Sequence, residues 1–149
     1  MNTYSETVGN KLNDILEKTY DAEKGFKKAA EHTNNTALKS YFKDKAAQRY
    51  NFGHVLKTEI KSFGHEVEEG DSFTGKAHRA WMDVKALFAN DNEEAMLEEA
   101  IRGEKASVEE YDEVIKDGSL PTSTLQILKN QKTAIENGLA NIRTLEDLA

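Results

Sequence analysis

The sequence predicts an all-α domain, an antiparallel four-helix bundle with one additional short helix. Apolar residues recur at steps of three and four through four long stretches, which is the helical period. Proline occurs once, at Pro121, so nothing interrupts those stretches. Charged residues make up 32% of the chain and alternate with Ala and Leu, a composition that favours long helices over strands. The 149 residues fit one domain, 1–149. A chain of that size buries roughly two-thirds of the surface its unfolded form exposes.

The first helix is expected over about 5–31, with Val8, Leu12, Ile15, Leu16, Ala22, Phe26, Ala29 and Ala30 on one face. Asn34 and Asn35 then make a tight turn, since Asn tolerates capping and left-handed conformations. So short a turn forces an antiparallel neighbour. The second helix, about 36–63, carries Leu38, Phe42, Ala46, Phe52, Leu56, Ile60 and Phe63, with Arg49 interrupting the stripe, and Gly64 closes it. A polar stretch over 64–71 leads to Ser72 or Thr74, either of which could cap a short helix over 74–89. That helix presents Ala77, Ala80, Trp81, Val84, Leu87 and Phe88. The next long helix, 92–117, shows Leu97, Ala100, Ile101, Val108, Tyr111 and Ile115, again with one charge inside the stripe, Glu104. Gly118 ends it, and Pro121 stands where the last helix begins. That helix, 122–147, offers Leu125, Leu128, Ile135, Leu139, Ile142 and Leu145.

Composition removes several function classes. There is no cysteine, so thiol catalysis, thiolate metal sites and disulfides are excluded. The 20 basic and 27 acidic residues give a net charge of −7, which opposes binding to phosphate backbones. No apolar run approaches the ~20 residues of a membrane span. The first residues lack the basic and apolar stretches of a secretory signal, so a cytoplasmic location is expected.

Two segments carry a family resemblance. The run His78-Arg79-Ala80-Trp81-Met82-Asp83-Val84-Lys85-Ala86-Leu87-Phe88 and the run Glu98-Glu99-Ala100-Ile101-Arg102-Gly103-Glu104 followed by Tyr111 resemble the short central helix and third long helix of a bacterial family. That family comprises ferritin-like four-helix-bundle proteins and is catalogued as a domain of unknown function. The order of elements agrees across nearly the whole chain. The resemblance implies a ferritin-like bundle in which the long connection, about 64–91, lets helices two and three run parallel. It implies no established activity, and loosely a stress association.

Ferritin-like metal enzymes hold two metal ions with four Glu and two His, including two Glu-x-x-His pairs on facing helices. Here the pair on helix two corresponds to Arg49 and Phe52, neither of which binds a cation. On the last helix it reads Glu136-Asn137-Gly138-Leu139, with leucine where histidine is required. On helix one the matching position falls near Thr19, with Glu23 one turn away, and only Glu104 stands where a carboxylate ligand should. A guanidinium brings permanent positive charge to the centre, so Arg49 and Glu104 are expected to form a buried ion pair, extended by Gln131 and Thr19.

Other constellations are weaker. No two of His32, His54, His65 and His78 stand at helical metal-pair spacing. Glu93, Glu94, Glu98 and Glu99 suit a helix N-terminus. Gly103 and Gly138 should lie at similar heights on adjacent helices, where close backbone approach would offset their helix-breaking cost. No catalytic triad and no phosphate-binding loop is readable.

The expected function is therefore a non-catalytic structural or interaction protein with no cofactor and a degenerate dimetal site. It self-associates through exposed helix faces, with a two-fold homodimer as the expected assembly. The alternative is a metal-binding or redox protein with a reduced site built from Glu23, Glu104, Glu136 and His54.

Overall fold

A computed structural model describes residues 3–64, 93–116, 118 and 120–142. It contains four long helices and, among the described residues, no strand: α1 (Thr3–His32), α2 (Thr36–Ser62), α3 (Glu93–Lys116) and α4 (Thr122–Asn141). The short helix expected over 74–89, with Trp81 and Phe88, lies outside the described residues. So do His65, His78 and Leu145.

Each boundary has a local cause. Asn35 caps α2, its side chain accepting a hydrogen bond from the Leu38 N–H at 2.9 Å, while Thr33 accepts from the Asn35 N–H at 3.2 Å. Gly64 ends α2 in the left-handed region, at φ +70°, donating to the Lys61 carbonyl. Glu93 and Glu94 occupy the first turn of α3, where negative charge complements the helix dipole. Pro121 precedes α4 and makes no side-chain cap hydrogen bond. The Glu59 carboxylate of α2 accepts from the Thr124 hydroxyl, with the Ser123 hydroxyl 3.5 Å away. The far end of α4 comes earlier than the apolar pattern suggests. Ile142 is extended, at φ −119° and ψ 107°, just past Gly138 and Asn141, both weak helix formers.

Specific contacts give the helix directions. Phe26 of α1 stacks near Phe42 of α2, ring centroids 6.1 Å apart, while Leu16 and Tyr20 lie over Gly53, so α1 and α2 are antiparallel. Thr33 at the end of α1 reaches Glu93 at the start of α3, and Lys18 reaches Glu110 farther along, so α3 is antiparallel to α1 as well. Glu59 meets Thr124, the Phe52 carbonyl meets Gln131, and Lys45 meets Gly138, which sets α4 antiparallel to α2. α4 also pairs with α3, through Tyr111 with Gln131 and Asp112 with Lys132. Consequently α2 and α3 run parallel on opposite corners of the bundle, and the end of α2 lies at the opposite end from the start of α3.

The core has two apolar halves. One gathers Ala22, Phe26, Ala29, Ala30, Leu38, Phe42, Ala46, Met96, Leu97 and Ala100. The other gathers Val8, Leu12, Ile15, Leu16, Leu56, Ile60, Tyr111, Leu128 and Ile135. Burying each large aliphatic or aromatic side chain contributes about 1.5–3 kcal/mol. The stripe of α4 departs from its apolar pattern: Thr124 and Gln131 are buried alongside Leu128 and Ile135, whereas Leu125 is only half-buried. Between the two halves lies a layer of buried polar side chains.

Candidate functional site

Arg49 and Glu104 form the centre of that layer, at 2% and 1% exposure. They come from diagonally opposed helices, so their side chains meet on the bundle axis. Arg49 Nη2 donates to Glu104 Oε1, and Nη1 lies 3.5 Å from Oε2. The fork-to-fork arrangement is the geometry in which guanidinium and carboxylate interact most strongly. Nη1 also donates to Gln48 Oε1 at 2.5 Å, and Nη2 lies 3.5 Å from Ser107 Oγ. The guanidinium sits 5.7 Å from the ring centres of both Phe26 and Phe52, so aromatic rings flank the cation.

A second cation shares the carboxylate. Lys45, one turn before Arg49 on α2, places Nζ 3.4 Å from Glu104 Oε2 and 5.7 Å from the centre of the Tyr41 ring. The lysine reaches inward because Gly138 of α4 leaves the path open. A Cβ at that position would stand 2.5 Å from Nζ. The glycine thus accommodates a side chain from α2. The Tyr41 hydroxyl is pushed above its ordinary range, first by burial and then by the Glu104 carboxylate.

A second polar group continues the layer through the other two helices. Tyr111 donates to Gln131 Oε1 at 2.6 Å, and Gln131 Nε2 donates to the Phe52 carbonyl at 3.3 Å. The Thr19 hydroxyl donates to the Ile15 carbonyl at 2.8 Å and stands beside Tyr111 at a shared cavity. Burial holds the Tyr111 hydroxyl well above its ordinary range. A cavity of about 10 Å³, the size of one water, lies between the groups and is lined by Thr19, Arg49, Ser107, Glu110 and Tyr111 among others.

All four residues of the expected network, Thr19, Arg49, Glu104 and Gln131, therefore lie in one layer, with Arg49 bound to Glu104, Gln131 bound to Tyr111 and Thr19 beside Tyr111. Lys45, Gln48 and Ser107 complete it, and the stripe pattern alone does not single them out. The available signal is positional. Lys45 stands four residues before Arg49, and Ser107 three after Glu104, so each shares a helix face with the charge it serves.

The donor set for a dimetal centre does not come together. Glu104 is occupied by two cations. Glu23 turns to Lys27, at 2.9 Å; Glu136 is exposed beside Lys132; His54 is exposed, its ring 5.3 Å from that of Tyr50. Among the described residues no group of three or more His, Cys, Asp or Glu is placed to hold a metal ion. These residues do not fit a carboxylate-bridged dimetal site, because a divalent ion beside Glu104 would face both a guanidinium and an ammonium.

No helix of the described residues is long and apolar enough to cross a membrane. Residues 7–117 match the model of a protein family whose description is domain of unknown function, DUF2383. The matched stretch takes in Arg49 and Glu104 and ends just beyond α3, so Gln131 and the rest of α4 lie past it. No curated protein matches the chain.

Proposed function

We propose, from the premise that this chain belongs to the DUF2383 family, that it is a non-catalytic structural or interaction protein built on a ferritin-like frame. In this reading the position a dimetal centre takes in ferritin-like enzymes is given to an ion pair, and the molecule works through its exposed helix faces, by self-association. The observation that carries the reading is the pair of Arg49 and Glu104 on the bundle axis, with Lys45 as second cation. Two fixed positive charges on one carboxylate hold the centre closed to divalent cations and leave no side chain there with an open coordination position. The parallel course of α2 and α3 supports the ferritin-like frame, since that arrangement follows from one long crossover connection. A cytoplasmic, stress-associated setting accompanies the reading.

Elemental mass spectrometry on untagged protein prepared without chelators tests it. Iron, manganese and zinc far below one equivalent is the expected result. Near-stoichiometric metal that disappears in Glu104→Gln would overturn the proposal and return the bundle to oxidase chemistry.

A further inference from the structure

α2 is the least amphipathic of the four helices, because part of its outer face carries no charge. Between residues 47 and 58 it exposes Ala47, Tyr50, Asn51, His54, Val55 and Thr58, none with a fixed charge. The exposed residues of α3, by contrast, are all charged, and α4 exposes polar residues with Lys129 and Glu136 among them. The described residues expose two large apolar side chains, Tyr50 at 56% and Val55 at 44%, and both stand on this face of α2. The His54 ring meets Tyr50 edge-on at 5.3 Å and extends the patch along the helix.

This face also has the period of a helix–helix seam. Asp44, Ala47, Asn51, His54, Thr58 and Lys61 follow one another at alternating steps of three and four, and all are exposed. They lie opposite the buried stripe that runs from Phe42 to Ile60. Small side chains at Ala47, Asn51 and Thr58 let a second helix come close, with Tyr50 and Val55 flanking the seam.

The two ends of the seam carry opposite charges. Asp44 closes one and Lys61 the other, and neither makes an ion pair with another described residue. The lysines on its flank are turned aside: Lys43 borders the groove between α1 and α2, and Lys57 stands over the Tyr20 ring at 5.2 Å. Reversed on itself, such a seam is its own complement. In an antiparallel pair with the two-fold axis level with Phe52 and Gly53, Asp44 faces Lys61 of the second copy at both ends. Ala47 then faces Thr58, and Asn51 faces His54. A parallel pair would set like charges together at each end.

We propose that the outer face of α2, from Asp44 to Lys61, is the surface through which two copies of this chain pair, antiparallel about a two-fold axis. This deepens the interaction-protein reading above and rests on it. An aromatic and aliphatic centre without charge, closed by ionic ends, is the composition of a protein–protein contact. The contact is isologous, so assembly stops at the dimer.

Sedimentation velocity on the full chain across a concentration series tests this. The wild type should reach a dimer and grow no further. Tyr50→Glu with Val55→Glu puts negative charge into both halves of the seam and should leave only monomer; circular dichroism verifies that the variant folds. Asp44→Lys alone and Lys61→Asp alone should each weaken the dimer several-fold, since each sets like charges together at both ends. The two changes combined in one chain should restore it. A dimer indifferent to the Tyr50 and Val55 changes would overturn this surface and leave self-association standing. A dimer lost with those changes but not rescued by the combined exchange would overturn the antiparallel pairing, and growth beyond a dimer would overturn the two-fold contact. A wild type monomeric throughout would overturn both the contact and the reading it rests on.

Discussion

Arg49 and Glu104 meet across the diagonal of the bundle, the two buried charges coming from helices that run parallel and make little direct contact with each other. The pair therefore couples corners of the bundle that apolar packing joins only through α1 and α4.

Removing one partner should cost far more than removing both. Glu104→Gln leaves Arg49 and Lys45 buried without a counter-charge, and the expected loss is about 3–5 kcal/mol. Urea unfolding measures it. The double replacement Arg49→Met with Glu104→Leu keeps similar volume and strands only Lys45, so it should cost clearly less than Glu104→Gln, which strands two cations. If the double variant is as unstable as Glu104→Gln, the strandedness of the remaining charge is not the cause.

Gly138 should report on Lys45. Alanine in a helix interior normally gains about 1 kcal/mol over glycine. Here the added methyl meets the lysine ammonium, so Gly138→Ala should give little of that gain or reverse it. In a Lys45→Ala background the full gain should return. A double-mutant cycle reads the difference, and strict additivity would show that glycine and lysine do not interact.

The start of α4 depends on a carboxylate from α2. Glu59→Ala removes the acceptor for Thr124 along with negative charge near a helix N-terminus, with an expected loss of about 1–2 kcal/mol. The loss should shrink when Thr124 is already valine. Hydrogen exchange should locate the added opening at residues 122–126, and protection lost evenly over all helices would count against a local contact.

Much of this layout is visible in the sequence, and the reason is contrast. Arg49 and Glu104 are conspicuous because each interrupts an otherwise apolar stripe, and a charge on a buried face needs a partner. Lys45, Ser107 and Thr124 are equally part of the interior but lie on faces where small or polar residues already occur, so nothing marks them. Glu59 is harder still, since the hydroxyl it accepts from stands on a helix more than sixty residues away in sequence. Gly138 was legible as a glycine needing a close neighbour, but not as one making way for a side chain from α2. In each case the missing information is which helices sit side by side.

Titration should separate three groups. Tyr41 and Tyr111 are held neutral by burial. The unfolded chain ionises near pH 10, so their contribution to stability is complete below that pH and is lost as pH rises beyond it. Ultraviolet difference titration should find both silent until the protein unfolds. Glu110 is also raised, mainly by burial, and its contribution is fully present only below the ordinary carboxylate range near ~4.3. It is lost as pH rises through the folded-state value. Glu110→Gln should therefore stabilise the protein at neutral pH, by an amount that vanishes on acidification. A constant difference at all pH values would place the effect elsewhere, for instance in the lost contact with Lys18.

The polar layer between two apolar halves also acts as an index mark along the helices. Alanine-rich stretches such as Ala22, Ala29, Ala30, Ala46 and Ala100 pack almost equally well if one helix slips by a turn, about 5.4 Å. Such a slip would carry the guanidinium away from its carboxylate and into the Phe42 and Leu97 half, stranding both charges at a cost of several kcal/mol. Of the alignments that hydrophobic burial alone would tolerate, only the one that brings Arg49 level with Glu104 keeps these two charges matched.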